Sequence, residues 1–146
     1  KYDVIFLKYI NKKDKKIVRL IKQINPKIHI FNAKYKIKKL KKFNLKKKYI
    51  IFSGIGNPYS FKKILEKNNF KILENIIFPD HYIYQKKDIT KIIKKSRDLN
   101  AKILTTEKDY VKIPKSYSKF IEFIKIDLGI DEQNKLKEYL KIKFNE

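Results

Sequence analysis

Three short strings in this chain set groups capable of acid–base or ionic chemistry beside apolar, strand-like runs. In Leu104-Thr105-Thr106-Glu107-Lys108-Asp109-Tyr110-Val111, hydroxyls, carboxylates and an ammonium crowd together. If Thr106 caps a helix, the backbone amides of its first turn favour an anion, with Lys108 as a point charge. A strand-to-helix cap held by local ion pairs accounts for the same residues without a ligand. Phe78-Pro79-Asp80-His81-Tyr82 offers a proton carrier near neutral pH next to a carboxylate able to fix its tautomer. On an extended chain adjacent residues point opposite ways, which makes Asp80 a poor orienter for His81, and a surface histidine in a loop is the plainer alternative. Phe52-Ser53-Gly54-Ile55-Gly56-Asn57-Pro58 holds a turn whose glycines let backbone approach a ligand or another segment. A tight strand-to-helix turn explains Gly54, Gly56 and Asn57 equally well. The string Gly-x-x-x-x-Gly-Lys-Ser/Thr occurs nowhere, and no His/Cys/Asp/Glu group has zinc spacing. No Ser-His-Asp order stands out, and His29 reads as structural.

Groups at these places need strands to carry them. Val4 to Leu7 reads as a short buried strand ending at Lys8. Asp14 is positioned to cap a helix with Ile17, Val18, Leu20, Ile21 and Ile24 at helical spacing, ended near Pro26. Ile28 to Ile37 reads as an extended or hairpin segment, and 38–48 as a lysine-rich connection. Tyr49 to Phe52 is a continuous apolar strand of the kind found inside parallel sheets. Pro58 then suits the first turn of a helix that buries Phe61, Ile64 and Leu65. Phe70 to Phe78 is the next strand. Asp88 is expected to cap a helix with Ile89, Ile92, Ile93 and Leu99 inward. Ala101 to Leu104 forms a short strand, Phe120 to Ile126 a last one, and Asp131 opens a helix through Leu136 and Leu140. This alternation predicts an α/β fold, a mostly parallel sheet flanked by helices, with the chemical groups at the strands' carboxyl ends, where open α/β sheets hold ligands.

Composition narrows the function classes. At 146 residues, 42% hydrophobic and 14% aromatic, the chain has the makings of a core despite 36% charged residues. No apolar run approaches the ~20 residues that span a bilayer, and no signal peptide is visible. Cysteine is absent, so there is neither a disulfide framework nor a thiolate metal site. The formal charge is +23, but Arg19 and Arg97 are the only arginines. Guanine readout leans on arginine, so no nucleic acid is expected as partner. A lysine-rich face suits an anionic membrane surface or a phosphorylated lipid at least as well. Abundant lysine, isoleucine and asparagine also fit the codon bias of an AT-rich genome. Methionine is absent, so Lys1 is expected not to be a natural start.

In order and spacing, the glycine turn, the Asp80-His81 pair and the Thr105 to Asp109 string resemble the C-terminal half of the tetraacyldisaccharide 4'-kinase family, the lipid A 4'-kinases of Gram-negative bacteria. The likeness runs from the first strand to Ile113. It implies a Rossmann-like C-terminal half of a P-loop-type kinase with its P-loop half absent. It also implies transfer of the γ-phosphate of ATP, with Mg²⁺, to the 4'-hydroxyl of a tetraacylated disaccharide 1-phosphate. ATP and Mg²⁺ would be bound mainly by the missing half, with no metal ligand in this chain. By the same resemblance His81, with Asp80, supports a catalytic aspartate upstream of Lys1; many members carry a second histidine where Tyr82 stands. Thr105, Thr106, Glu107, Lys108 and Asp109 would face the cleft. The implied organisation is 1–37 as the end of an N-terminal kinase half, 38–48 as a connection and 49–146 as a C-terminal α/β domain. The implied location is peripheral, at the cytoplasmic face of the inner membrane. A basic α/β module binding nucleic acid or another polyanion, and a non-catalytic homologue, are the alternatives.

Overall fold

The structure is a computed structural model that describes residues 3–8 and 14–144. In chain order the elements are β1 (Val4–Lys8), α1 (Asp14–Ile24), β2 (His29–Ile37), a 3-10 turn (Leu40–Lys42), β3 (Lys48–Ser53), α2 (Pro58–Lys67) and β4 (Lys71–Ile77). There follow α3 (Lys86–Asp98), β5 (Lys102–Thr106), α4 (Glu107–Tyr110), α5 (Lys115–Ser118), β6 (Ile121–Ile124), β7 (Ile126–Ile130) and α6 (Gln133–Phe144). The chain divides into two compact units, Ile37–Lys125 and Lys1–Lys36 with Ile126–Glu146. These are drawn differently from 1–37, 38–48 and 49–146. β7 takes its place beside β2, so the chain's last strand and helix cluster with its beginning.

The unit spanning Ile37–Lys125 carries a four-stranded sheet in the order β4-β3-β5-β6, and every neighbouring pair is parallel. β3 is the central strand: Tyr49, Ile50, Ile51, Phe52 and Ser53 are all fully buried. A strand with no polar alternation must be covered on both faces, and the order of the sheet explains how it is. The crossover from β3 to β4 runs one way along the sheet, and the crossover from β4 to β5 runs back past β3. Right-handed crossovers of opposite direction place α2 and α3 on opposite faces. α3 contributes Ile89, Ile92 and Ile93 to a cluster with Ile50, Phe52, Ile103 and Ile121. α2 buries Phe61, Ile64 and Leu65, as its spacing predicts. Each such side chain is worth roughly 1.5–3 kcal/mol of burial.

The local signals of α2 also hold: Pro58 opens the helix, and the Asn57 side chain accepts from the Ser60 N–H at 2.9 Å. α3 differs from its expected form. Its first helical residue is Lys86, and Asp88 sits inside the first turn, its Oδ2 accepting from the Gln85 N–H at 3.0 Å. Leu99 is the residue at which the helix ends, so it leaves the helical spacing and is 41% exposed, while Ser96 is buried instead.

The other unit carries a three-stranded sheet in the order β1-β2-β7, in which β1 and β2 are parallel from Val4 opposite His29 to Lys8 opposite Ala33. β2 is one continuous strand and no hairpin. The His29 ring packs on Tyr139 of α6 with centroids 4.3 Å apart. Asp131 does not open α6; it pairs with Lys34 at 2.6 Å and accepts from Asn32 at 2.8 Å, and the helix starts at Gln133. The Lys34 hydrogen bond, the largest influence, holds the Asp131 carboxyl below its ordinary value. The expected capping by the Asp14 side chain lies outside the described residues. The segment expected as one strand, 120–126, is two strands of different sheets, broken at Lys125.

Candidate active site at the carboxyl ends of the parallel strands

In a sheet of order β4-β3-β5-β6 the connections leave β3 and β5 in opposite directions. The crevice outside the carboxyl ends of these two strands is the topological switch point, where α/β folds take their ligands. Gly54 follows β3, and Thr106 ends β5 and caps α4. Phe78-Pro79-Asp80-His81 leaves β4. All three strings singled out by the sequence therefore reach the same end of one sheet, and contacts join them at Gly54.

The Gly54 N–H donates to Asp109 Oδ2 at 3.1 Å, and the Gly54 carbonyl accepts from the His81 N–H at 3.2 Å. Gly54, through the two successive peptides that meet at its Cα, thus bridges the β5–α4 turn and the Asp80–His81 loop. No glycine has a positive φ, so what Gly54 supplies is space. A Cβ built there would lie 3.0 Å from the Pro79 carbonyl oxygen, 3.1 Å from the Tyr84 hydroxyl and 3.2 Å from Tyr82 Cβ. Gly56 is looser: the nearest atom to its Cβ would be Asp80 Oδ2 at 3.3 Å. Of the two uses open to this turn, approach to another protein segment is the one seen at Gly54.

Asp109 is completely buried, and its carboxylate is engaged by the chain itself. Oδ2 also accepts from Thr106 Oγ at 2.7 Å, and Lys112 Nζ lies 3.3 Å from Oδ1. The Asp109 N–H donates to Thr106 Oγ at 3.1 Å, so Thr106 caps α4 by serving Asp109 rather than an external anion. A buried carboxylate is tolerated only when neutralised and hydrogen-bonded, and these donors provide that. The Tyr84 hydroxyl is buried beside it without a well-aligned partner. Burial, with the charge of Asp109 next in effect, pushes that phenol far above its usual range.

The remaining members divide by exposure. The Thr105 hydroxyl is buried and donates to the Phe52 carbonyl at 2.7 Å, which ties β5 to β3 inside the sheet. Glu107 pairs with Lys125 at 2.9 Å, and Lys108 is exposed. Asp80 and His81 are exposed, the histidine side chain by 74%. The backbone here is a turn rather than the extended chain expected for Asp80 and His81. His81 has φ 59°, in the left-handed region, and its N–H also donates to Asp80 Oδ1 at 3.0 Å. His81 Nε2 lies 4.0 Å from Asp80 Oδ2, near enough for charge to act but beyond hydrogen-bond reach. A left-handed histidine costs about 1–2 kcal/mol and persists only where neighbours over-determine it.

Sequence reasoning missed Lys112, the partner of Asp109, and the anchoring role of Tyr82. Tyr82 packs on Phe78 with centroids 4.8 Å apart and donates to Asp88 Oδ2 at 3.0 Å, fixing the far end of the loop. That hydrogen bond raises the Tyr82 phenol above its ordinary value. The Tyr82-to-Asp88 spacing was the signal available for it.

These donors do not fit a magnesium site. The Asp109 carboxylate is taken up by Gly54, Thr106 and Lys112, and no group of three or more His, Asp or Glu side chains is gathered among the described residues. None of the helices described is long and apolar enough to cross a membrane.

Residues 2–145 match the family model for Tetraacyldisaccharide-1-P 4'-kinase. The chain is 38% identical over 145 residues to the Tetraacyldisaccharide 4'-kinase of Pelagibacter ubique, covering 99% of this chain and 46% of that protein. It is 41% identical over 92 residues to the protein of the same name from Rickettsia bellii, covering 63% of this chain and 28% of the other. The crystal structure of LpxK from Aquifex aeolicus in complex with ATP aligns at a TM-score of 0.51, over 95% of this chain and 51% of that one. At 20% identity that likeness is one of fold. The chain spans about half the length, or less, of the curated relatives it matches.

Proposed function

The chain belongs to the tetraacyldisaccharide-1-P 4'-kinase family, and on that premise we propose that it forms part of an enzyme moving the γ-phosphate of ATP to the 4'-hydroxyl of a tetraacylated glucosamine disaccharide 1-phosphate. The observation that carries this reading is the meeting of the Asp80–His81 loop with the glycine turn and the Thr106–Asp109 cap at the switch-point crevice. Phosphoryl transfer asks a protein mainly for positioning and charge neutralisation. His81 presents an imidazole to solvent from a backbone fixed by Gly54, with the Asp80 carboxylate near enough for its charge to act. In this role it holds or passes a proton for a carboxylate base carried by the rest of such a protein. Lys108 adds positive charge at the same end of the sheet. We assign Mg²⁺, and with it the ATP phosphates, to the remaining half of such a protein, because among the described residues no carboxylates gather into a site for the metal.

The lipid substrate and an anionic membrane surface are the proposed partners, at the cytoplasmic face of the bacterial inner membrane. The +23 charge supports both, since fifteen acidic residues cannot neutralise thirty-eight basic ones. The test is to give the full-length protein carrying this chain ATP, Mg²⁺ and the tetraacylated disaccharide 1-phosphate. Product gaining one phosphate at the 4'-oxygen, read by mass spectrometry, is the expected result. No transfer under conditions where a known family member is active overturns the reading.

A further inference from the structure

The carboxylate of Asp109 has no route to a ligand, yet it lies two hydrogen bonds from the one exposed imidazole of the site. We propose that Asp109 is a positioning residue for His81, acting through the backbone of Gly54. Asp109 Oδ2 receives the Gly54 N–H at 3.1 Å, and the Gly54 carbonyl receives the His81 N–H at 3.2 Å. Both ends of this short path are constrained. Asp109 is fully buried, with Thr106 and Lys112 fixing the carboxylate. His81 stands at φ 59°, a backbone state that its neighbours must enforce. The Pro79 carbonyl and Tyr84 hydroxyl leave no room for a Cβ at residue 54, so the backbone joining the two hydrogen bonds is that of a glycine, whose φ and ψ depend on its partners. Withdrawing the charge from Asp109 leaves the Gly54 N–H with a weaker acceptor, which frees the glycine φ and ψ and with them the carbonyl of the following peptide. The His81 N–H then keeps only Asp80 Oδ1 of its own loop and loses its tie to the end of β3, while the imidazole itself is untouched. The Asp–Gly–His path is a device of tertiary structure, because its bonded pairs are 55 and 27 positions apart along the chain and meet only where β3, β4 and β5 end.

The catalytic half of this proposal rests on the kinase reading, whereas the structural half does not, and two experiments separate them. In the first, backbone amide hydrogen exchange is measured by NMR for the wild type, Asp109→Asn and Lys112→Met. Asp109→Asn is expected to speed exchange at Gly54 and His81 by tenfold or more, with the sheet amides of β3 and β5 little changed. Lys112→Met removes the partner of Oδ1 but leaves Oδ2 on Gly54 and Thr106, and is expected to speed exchange at His81 several-fold less than Asp109→Asn does. Equal acceleration in both variants, or none at His81 in Asp109→Asn, overturns the proposal. If Asp109→Asn fails to fold, Thr106→Val takes its place, removing one donor to the same oxygen. It must then accelerate Gly54 and His81 more than Lys112→Met does. The second experiment measures turnover of the full-length protein. Asp109→Asn is expected to lower kcat tenfold or more with KM for ATP within twofold, whereas a loss spread equally over both contradicts positioning of His81. Absence of turnover in the wild type refutes the kinase reading alone, and the exchange result still decides the path.

Discussion

Replacing Gly54 by alanine tests the hub of the site without removing any ionisable group. The added methyl would stand 3.0 Å from the Pro79 carbonyl oxygen and 3.2 Å from Tyr82 Cβ, neither of which can swing aside, and 3.1 Å from the buried Tyr84 hydroxyl. Overpacking of this kind costs about 1–3 kcal/mol, and three tight neighbours argue for about 2. The matched control is Gly56→Ala, whose methyl would meet only the exposed Asp80 carboxylate at 3.3 Å. With no positive φ to violate, that change should stay within about 0.5 kcal/mol of the wild type. Urea unfolding followed by circular dichroism reads the difference. At an m-value of about 2 kcal/mol/M, Gly54→Ala lowers the midpoint by about 1 M, while Gly56→Ala leaves it nearly in place. Equal midpoints for the two variants would refute the view that Gly54 is required for close approach of the 79–84 segment.

Three further expectations follow from the same structure. Since His81 stands at φ 59°, His81→Gly should be about 1 kcal/mol more stable than His81→Ala in the same denaturation assay, although both lack the imidazole. Asn57→Ala removes the cap of α2 and should cost about 1 kcal/mol, largely recovered by Asn57→Asp. The Lys34 hydrogen bond holds the folded Asp131 carboxyl below its ordinary value, so its contribution is complete above that ordinary value and is lost as pH falls through the lower folded one. Asp131→Asn should therefore flatten the acid limb of stability below about pH 4, as followed by carboxyl NMR titration and denaturation.

Much of the fold could be read from local pattern, and the exceptions have physical causes. Tyr49 to Phe52 announced a buried parallel strand because a strand covered on both faces has no polar alternation. Pro58 and the spacing of Phe61, Ile64 and Leu65 located α2 because helix starts and apolar faces are local properties. The segment 120–126 misled because periodicity reports extended backbone but not which sheet receives it; the chain changes sheets at Lys125. Asp88 and Asp131 were both read as helix openers. Asp88 belongs inside the first turn, and Asp131 is held by Lys34 and Asn32, the second a partnership between distant residues. Placement of the three chemical strings at strand carboxyl ends was legible, since it follows from β-α alternation. Their convergence on Gly54 was not. It depends on strand order and on a left-handed turn at His81, which replaces the extended geometry assumed for Asp80 and His81. The burial of Asp109 was likewise hidden, because its donors Gly54 and Lys112 are set by packing.

The most direct test of a catalytic site at these strand ends is the turnover number of the full-length protein with and without the His81 imidazole. Transfer from ATP to the tetraacylated disaccharide 1-phosphate is measured for the wild type and for His81→Ala, with unfolding midpoints taken on the same preparations. A role in proton handling predicts a kcat lower by roughly 10²–10⁴-fold in His81→Ala, with the variant still folded. Wild-type turnover in a folded His81→Ala protein would contradict it.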